Sequence, residues 1–294
     1  MRRTVLLAGL GLLAVALAAC SPLAIVNRLT PSDTYTVTTD LAYGPEARDR
    51  LDLYRPRESA DRPAPRGGYP VVVFFYGGSW NSGERVDYRF VGEALASHGI
   101  VTVVADYRLY PQVRYPDFLA DCAQAVAWAK REAPRYGGDA GRLFVMGHSS
   151  GGYNAAMLAL DPRWLTAAGV APSALAGWIG LAGPYDFLPI ENKKAQPVFF
   201  HPDYPAGSQP IAYASNAAPR TFLGAAASDD IVNPERNSRQ MADRLRAAGA
   251  PVTFKIYPRA NHFTLLGALA RPLRGFEPVL EDVAAFVRGD AAAS

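Results

Sequence analysis

One serine lies in a sequence context that could make it a nucleophile. The apolar run Leu143 to Met146 predicts a strand, the motif Gly147-His148-Ser149-Ser150-Gly151 follows it, and a helical pattern begins immediately afterwards. A G-x-S-x-G pentapeptide between a strand and a helix is typical of a sharp turn that exposes a serine, and its glycines avoid clashes with the adjoining elements. We therefore predict that Ser149 can attack a carbonyl carbon.

A serine hydroxyl is a weak nucleophile without a general base, and the sequence offers only four histidines. His98 ends a predicted helix, His148 is directed away by the turn itself, and His201 lies in an irregular stretch. His262 follows the last predicted core strand, where a loop can bring it to the serine. We predict His262 as the base.

A carboxylate must orient that histidine, and it should follow the strand that precedes the histidine. Asp229 and Asp230 both lie after the predicted strand Thr221 to Ala225. Asp186 is a third candidate, but it follows an earlier strand and its residue type also suits an ordinary turn.

The tetrahedral intermediate of such a reaction carries a negative oxygen that needs fixed N–H donors. The backbone N–H of Ser150 is one candidate. The loop Tyr76-Gly77-Gly78-Ser79-Trp80, which follows the predicted strand Val71 to Phe75, should supply another. A glycine pair after a strand also occurs in plain tight turns.

This loop resembles the His-Gly-Gly-x-Trp motif of bacterial carboxylesterases related to the hormone-sensitive-lipase group and of the kynurenine-formamidase-like hydrolases. Asp106-Tyr107-Arg108-Leu109 is similar to a second motif of these enzymes, and the similarity covers residues 40 to 288. Tyr76 departs from the pattern, because the family usually has a histidine there that braces the loop.

The resemblance implies the α/β-hydrolase fold and assigns further roles. Asp229 matches the first position of the family's Asp-x-x-Val pattern, which favours it over Asp230 as the acid of the triad. Gly78 and Ser79 match the backbone oxyanion donors, which a change at Tyr76 does not remove.

The elements that must position these residues follow from the hydrophobic pattern. Continuous apolar runs alternate with helical segments, which is typical of a doubly wound, mostly parallel sheet covered on both faces. The predicted strands are Tyr35 to Thr38, Arg50 to Tyr54, Val71 to Phe75, Ile100 to Ala105, Leu143 to Met146, Gly177 to Leu181, Thr221 to Ala225 and Val252 to Tyr257. The predicted helices are 87–97, 116–132, 150–160, 234–248 and 277–288. We expect one domain over residues 35–290, with a short cap at about 184–219 whose aromatic residues could line an acyl pocket or pack in the core.

The first residues have the pattern of an export signal. Arg2 and Arg3 precede the apolar run Val5 to Ala19, which is short for a membrane span. The junction Leu17-Ala18-Ala19-Cys20 resembles the lipobox of bacterial lipoproteins and predicts a signal peptide over 1–19, an acylated Cys20, a polar tether over 20–34 and a cell-envelope location. An ordinary signal peptide or an uncleaved anchor are the alternatives.

Composition excludes several other classes. Removing residues 1–19 takes two arginines from the 30 basic side chains, which then nearly balance the 27 acidic ones, and no basic cluster remains for nucleic acid. The sequence contains no H-E-x-x-H motif, no clustered Cys/His ligands and no Walker loop, so we expect neither a metal nor a nucleotide cofactor. Cys122 lies on the apolar face of a predicted helix and should be a buried small side chain.

Together these features predict a membrane-anchored hydrolase of small carboxylic esters, with small to medium acyl chains, that acts through an acyl-enzyme. Amide cleavage of the arylformamidase or peptidase kind would use the same triad. From a different class, the chain could be a non-catalytic lipoprotein that uses the fold to bind ligands.

Overall fold

The computed structural model describes residues 22–59 and 63–290. Its centre is an eight-stranded sheet with the strand order β1-β2-β4-β3-β5-β6-β7-β8. The strands are β1 (Tyr35–Ala42), β2 (Arg50–Pro56), β3 (Tyr69–Phe75), β4 (Val101–Ala105), β5 (Gly138–His148), β6 (Leu175–Leu181), β7 (Thr221–Ala226) and β8 (Val252–Tyr257). β1 and β2 pair antiparallel at one edge, and β3 to β8 pair parallel. The predicted fold class is confirmed.

The helices alternate with the strands and cover the sheet. They are α1 (Pro22–Arg28), α2 (Arg89–Ser97), α3 (Asp117–Glu132), α4 (Ser150–Leu160), α5 (Pro162–Ala167), α6 (Gln240–Ala247), α7 (His262–Gly267) and α8 (Val279–Arg288). β3, β4 and β7 are buried at every residue, as expected for parallel strands with both faces covered. Cys122 of α3 is fully buried, and burial raises the pKa of its thiol well above the ordinary value.

The carboxyl ends of the parallel strands form one edge of the sheet, and the residues that could do chemistry follow four of them. The glycine-rich loop comes after β3, Ser149 after β5, Asp229 after β7 and His262 after β8. In open α/β sheets this edge is where ligands bind.

Residues 184–219 lie between β6 and β7 and contain short 3-10 turns but no α-helix or strand. Phe199 is fully buried and packs against Trp80, Tyr115 and Tyr153. Phe200 is largely exposed beneath the guanidinium of Arg114. Phe199 therefore packs the cap on the domain and does not line an open pocket.

The segment before β1 differs from the irregular tether that the sequence predicted over residues 20–34. Residues 22–28 form the helix α1, which packs Leu23 and Val26 against the core, and only residues 29–34 are irregular. Asn27 ties it down further, because its side chain donates to the carbonyl of Val86 and accepts from the N–H of Phe90. Pro22 does not prevent this helix, because proline is tolerated at the first helical position, where no intrahelical N–H bond is needed.

The predicted signal peptide and Cys20 lie outside the described residues. Among the helices of residues 22–59 and 63–290, none combines the length and apolar character needed to cross a bilayer.

Candidate active site

Ser149, His262 and Asp229 form one hydrogen-bonded chain. Nε2 of His262 lies 3.0 Å from Oγ of Ser149, and Nδ1 lies 2.8 Å from Oδ2 of Asp229. The side chains of His262 and Asp229 are only 4% and 1% exposed. With the Nδ1 proton donated to Asp229, Nε2 is left as the acceptor for the serine hydroxyl. This arrangement can remove a proton from Ser149 as it attacks.

The turn around Ser149 is sterically demanding and explains the adjacent glycines. Ser149 has a left-handed φ of 54°, and its N–H donates to the carbonyl of Leu181 at 2.9 Å. A Cβ on Gly147 would lie 2.0 Å from the carbonyl oxygen of Gly151, and one on Gly151 would lie 2.0 Å from that of Phe75. The strand and helix can therefore approach closely only because both residues lack side chains.

The structure separates the three candidate acids. Asp229 reaches His262 with one oxygen, and its other oxygen accepts the N–H groups of Ile231 and Val232 at 3.0 and 2.8 Å. Burial, the largest influence on its pKa, raises it, but the bond to His262 and the two backbone donors outweigh burial and hold the pKa of Asp229 below its usual value. Asp230 is exposed, and Asp186 pairs with Arg236 at 3.5 Å.

His262 is held from two further directions. It is the first residue of α7, whose N-terminus is capped by the side chain of Asn261 in a capping box with Thr264. The buried ring of His148 donates from Nε2 to the carbonyl oxygen of His262 at 2.9 Å. Burial, helped by the neighbouring His262, lowers the pKa of His148 to about 3, so the ring stays neutral. The turn directs His148 away from Ser149, as the sequence predicts, but no sequence signal indicates its contact with the His262 loop.

The loop after β3 has an unusual backbone. Gly78, Ser79 and Trp80 have φ values of 131°, 53° and 60°. A Cβ on Gly78 would lie 2.2 Å from the carbonyl oxygen of Ser82, so glycine is required there. Within the described residues, the N–H groups of Ser79 and Ser150 donate to no other protein group. Unpaired N–H groups in a turn of this kind can form a concave, anion-binding stretch of backbone.

Tyr76, the first residue of this loop, is fixed by hydrogen bonds and by ring stacking. Its hydroxyl donates to Oδ1 of Asp106 at 2.7 Å and accepts from Arg48 at 2.8 Å. Its ring stacks between Tyr88 and Tyr107, at centroid distances of 5.1 and 4.9 Å. Burial and the adjacent Asp106 raise the pKa of Tyr76 well above its ordinary value, so it remains a neutral donor. Tyrosine thus provides hydrogen bonds at the position where the resembled family has a bracing histidine.

Trp80 connects the same loop to the helix that begins beside Ser149. Its indole N–H donates to Oδ1 of Asn154 on α4 at 2.9 Å, and both side chains are buried. This bond joins the two backbone segments that carry the N–H groups of Ser79 and Ser150. Sequence reasoning did not identify Asn154, because a buried amide within a helix has no distinctive pattern.

A cleft of about 130 Å³ opens beside Ser149. Apolar walls come from Trp80, Phe187 and Ile231, and polar groups come from Asn192 and Arg236. Its volume is close to the roughly 150 Å³ of an engineered cavity that holds a benzene molecule. Across residues 22–59 and 63–290, no group of three or more His, Cys, Asp or Glu side chains is arranged to hold a metal ion.

Two esterases are similar to this chain in sequence. The probable isoprenylcysteine alpha-carbonyl methylesterase ICME of Oryza sativa is 29% identical, in an alignment that covers 86% of this chain and 64% of that protein. Esterase LipC of Mycobacterium tuberculosis is 31% identical, with 78% of this chain and 61% of that protein covered. The chain thus spans less than two thirds of the length of either relative.

Solved structures resemble the fold. An esterase of Pyrobaculum calidifontis has a TM-score of 0.72 at 21% identity and covers 92% of this chain and 90% of its own. A truncated carbohydrate esterase from gut microbiota has the same TM-score at 19% identity, with 88% and 98% covered. These likenesses establish the α/β-hydrolase architecture that the motifs predicted. The model of the BD-FAE family matches residues 51–245, and the chain therefore belongs to that family.

Proposed function

We propose that this protein hydrolyses carboxylic esters through an acyl-enzyme on Ser149. The observation that carries the proposal is the hydrogen-bonded chain from Asp229 through His262 to Ser149, at 2.8 and 3.0 Å, on the ligand-binding edge of the sheet. The esterase names of LipC and the methylesterase relatives support the same reaction class.

In the proposed mechanism, Oγ of Ser149 attacks the ester carbonyl carbon while Nε2 of His262 takes the hydroxyl proton. The negative oxygen that forms accepts hydrogen bonds from the backbone N–H groups of Ser79 and Ser150. His262 then gives the proton to the departing alcohol oxygen, which leaves the acyl group on Ser149. A water molecule, deprotonated by the same imidazole, attacks the acyl-enzyme and releases the acid. Asp229 keeps its charge and stabilises the imidazolium.

The cleft supports esters with a short acyl group. Its volume of about 130 Å³ leaves room for a few carbon atoms beside Ser149, and Phe187 and Ile231 provide apolar contact. The guanidinium of Arg236 suits an alcohol part that can form hydrogen bonds. We therefore propose acetyl to butyryl esters of polar alcohols as substrates.

A fluorophosphonate probe and a substrate panel test this function. The probe should label Ser149 in the wild type and nothing in Ser149→Ala, while Ser150→Ala, which keeps its backbone N–H, should still be labelled. Nitrophenyl acetate and butyrate should be cleaved faster than the octanoate and than formyl-anilides, and Ser149→Ala should lose at least about 10⁵-fold in kcat. Labelling at another residue, or faster cleavage of the anilides, would contradict the proposal.

We also propose that Cys20 is acylated and holds the protein on the cell envelope, on the basis of the junction Leu17-Ala18-Ala19-Cys20. Helix α1 begins at Pro22 and packs on the domain, so an acylated Cys20 would keep the domain against the bilayer surface. Cys20→Ser should move the protein from the membrane to the soluble fraction or leave the precursor uncut. An intact mass that corresponds to an unmodified N-terminus at another residue would contradict it.

A further inference from the structure

Ser79 occupies a conformation that its own residue type disfavours. Its φ of 53° is left-handed, and the next residue, Trp80, is left-handed as well. Residues with a Cβ adopt this region at a cost in free energy, so surrounding contacts must hold them there. For Ser79 those contacts matter because the residue lines the cleft and its N–H is unpaired within the described residues.

The cap supplies one of these contacts. The side chain of Asn192 donates from Nδ2 to Oγ of Ser79 at 3.0 Å. The other end of the same amide is fixed, since its Oδ1 accepts the N–H of Lys194 at 3.0 Å. The amide therefore has one orientation, with its donor directed at the hydroxyl of Ser79.

A second side chain, that of Asn81, links Ser79 to the same part of the cap. The side-chain amide of Asn81 donates to the carbonyl oxygen of Ser79 at 2.9 Å and to that of Lys194 at 2.8 Å. Ser79 is thus hydrogen-bonded through its side chain to Asn192 and through its carbonyl to Asn81. Asn81 in turn bonds to Lys194, so both bonds connect Ser79 to the cap segment 192–194. The N–H is the group that these bonds leave unpaired.

We propose that Asn192 is a positioning residue for the oxyanion hole, which acts by holding Ser79 in its left-handed conformation from the cap. The inference rests on the proposed function and assigns the cap a part in catalysis beyond enclosing the substrate. Loss of the bond lets Ser79 relax toward a commoner backbone conformation and turns its N–H away from the oxyanion. The transition state then loses part of its stabilisation, whereas ground-state binding of the ester changes little.

A double-mutant cycle tests this role. Asn192→Ala and Ser79→Ala each delete the bond but keep the backbone N–H of residue 79. Each should lower kcat for nitrophenyl acetate and the rate of fluorophosphonate labelling by about 10-fold, with KM within about twofold of the wild type. The double variant should be no slower than either single variant, because all three lack the same bond. Lys193→Ala, an exposed neighbour, is the control and should match the wild type.

The outcomes separate the two proposals. Labelling of the wild type together with an unchanged rate in Asn192→Ala would overturn the positioning role and leave the esterase proposal standing. Effects that multiply in the double variant would also overturn it, since Asn192 would then act on the substrate independently of Ser79. A wild type that is neither labelled nor active would overturn both. Equal melting temperatures of all variants should accompany the expected result, because Asn192 is exposed.

Discussion

The two halves of the site are built by different means. The triad half lies on strand ends: Ser149, Asp229 and His262 each follow a parallel strand of the ladder from β5 to β8. The oxyanion half is a left-handed loop held by side-chain bonds to residues 30, 74 and 113 positions away in the chain. Backbone pairing therefore places the nucleophile, base and acid, whereas individual side chains from other segments shape the loop that would face them. Substitutions of the triad residues should therefore nearly abolish kcat. Single substitutions in the oxyanion half should each lower kcat by a smaller factor.

The largest effect that we expect in the triad half, after loss of the nucleophile, comes from Asp229→Asn. The amide cannot accept the Nδ1 proton in the same way and favours the wrong imidazole tautomer, so kcat should fall by about 10⁴-fold. Asp230→Asn is the matched control, because that side chain is exposed and has no bond to His262. Steady-state kinetics of both variants decide the outcome. A large loss of kcat in Asp230→Asn, together with an active Asp229→Asn, would show that Asp230 and not Asp229 is the acid of the triad.

The pH dependence of the unfolding free energy tests the buried state of His148, whose ring supports the His262 loop in the triad half. Because burial lowers the pKa of His148 to about 3, the native ring stays neutral while the unfolded chain takes up a proton below its ordinary pKa near 6.5. The unfolded state then binds more protons, so stability falls as the pH decreases between these two values. From pH 7 to pH 5 this loss should amount to about 2 kcal/mol for His148 alone. Urea unfolding at both pH values should give a smaller loss for His148→Gln than for the wild type; equal losses would contradict the buried neutral ring.

The division between the two halves also determines what the sequence could predict. Ser149 was predictable because a strand, a glycine-flanked turn and a helix follow one another locally. His262 was predictable because few histidines follow a core strand. The choice between Asp229 and Asp230 depended on the family resemblance, since either residue could occupy the loop, and in the structure it is Asp229 that contacts His262.

Other features were not predictable, for identifiable physical reasons. The bonds of Asn192 and His148 join loops 113 and 114 residues apart, and neither loop has a periodicity that reveals its partner. The tether predicted over residues 20–34 was wrong for 22–28, because Pro22, Pro31 and Ser32 discourage regular structure locally, whereas helix α1 is stabilised by packing on the domain. Tertiary contacts of this kind override local propensity.

His148→Leu should weaken the triad half without destroying it. Leucine fills the buried space but cannot donate to the carbonyl of His262, so the loop that carries the base loses one of its two supports. We expect kcat to fall by about 10-fold with little change in KM, since a displaced base weakens proton transfer more than substrate binding. His148→Gln, whose amide can replace the Nε2 donor, should recover most of the activity. If the leucine and glutamine variants are equally slow, the bond to His262 is not what matters.

Tyr76→Phe should have the smallest effect and would sharpen the contrast between the halves. The change removes the donor to Asp106 and the acceptor for Arg48, but Asp106 keeps two bonds from Arg85 and the aromatic stack keeps its ring. The free energy of unfolding should therefore decrease by about 1.5–3 kcal/mol, the range for a hydrogen bond to a charged group, because both charged partners of the hydroxyl keep other bonds. Tyr88→Phe is a matched control, because Tyr88 stacks on Tyr76 but its hydroxyl takes no part in this network.

The effect of Tyr76→Phe on catalysis should also be small. The loop that follows Tyr76 keeps its bonds to Asn154 and Asn192, so kcat should fall only about 2- to 5-fold. Urea unfolding and kinetics on both variants provide the measurement. A loss of kcat as large as that of His148→Leu would mean that the tyrosine network, and not the cap and α4, sets the position of the oxyanion donors.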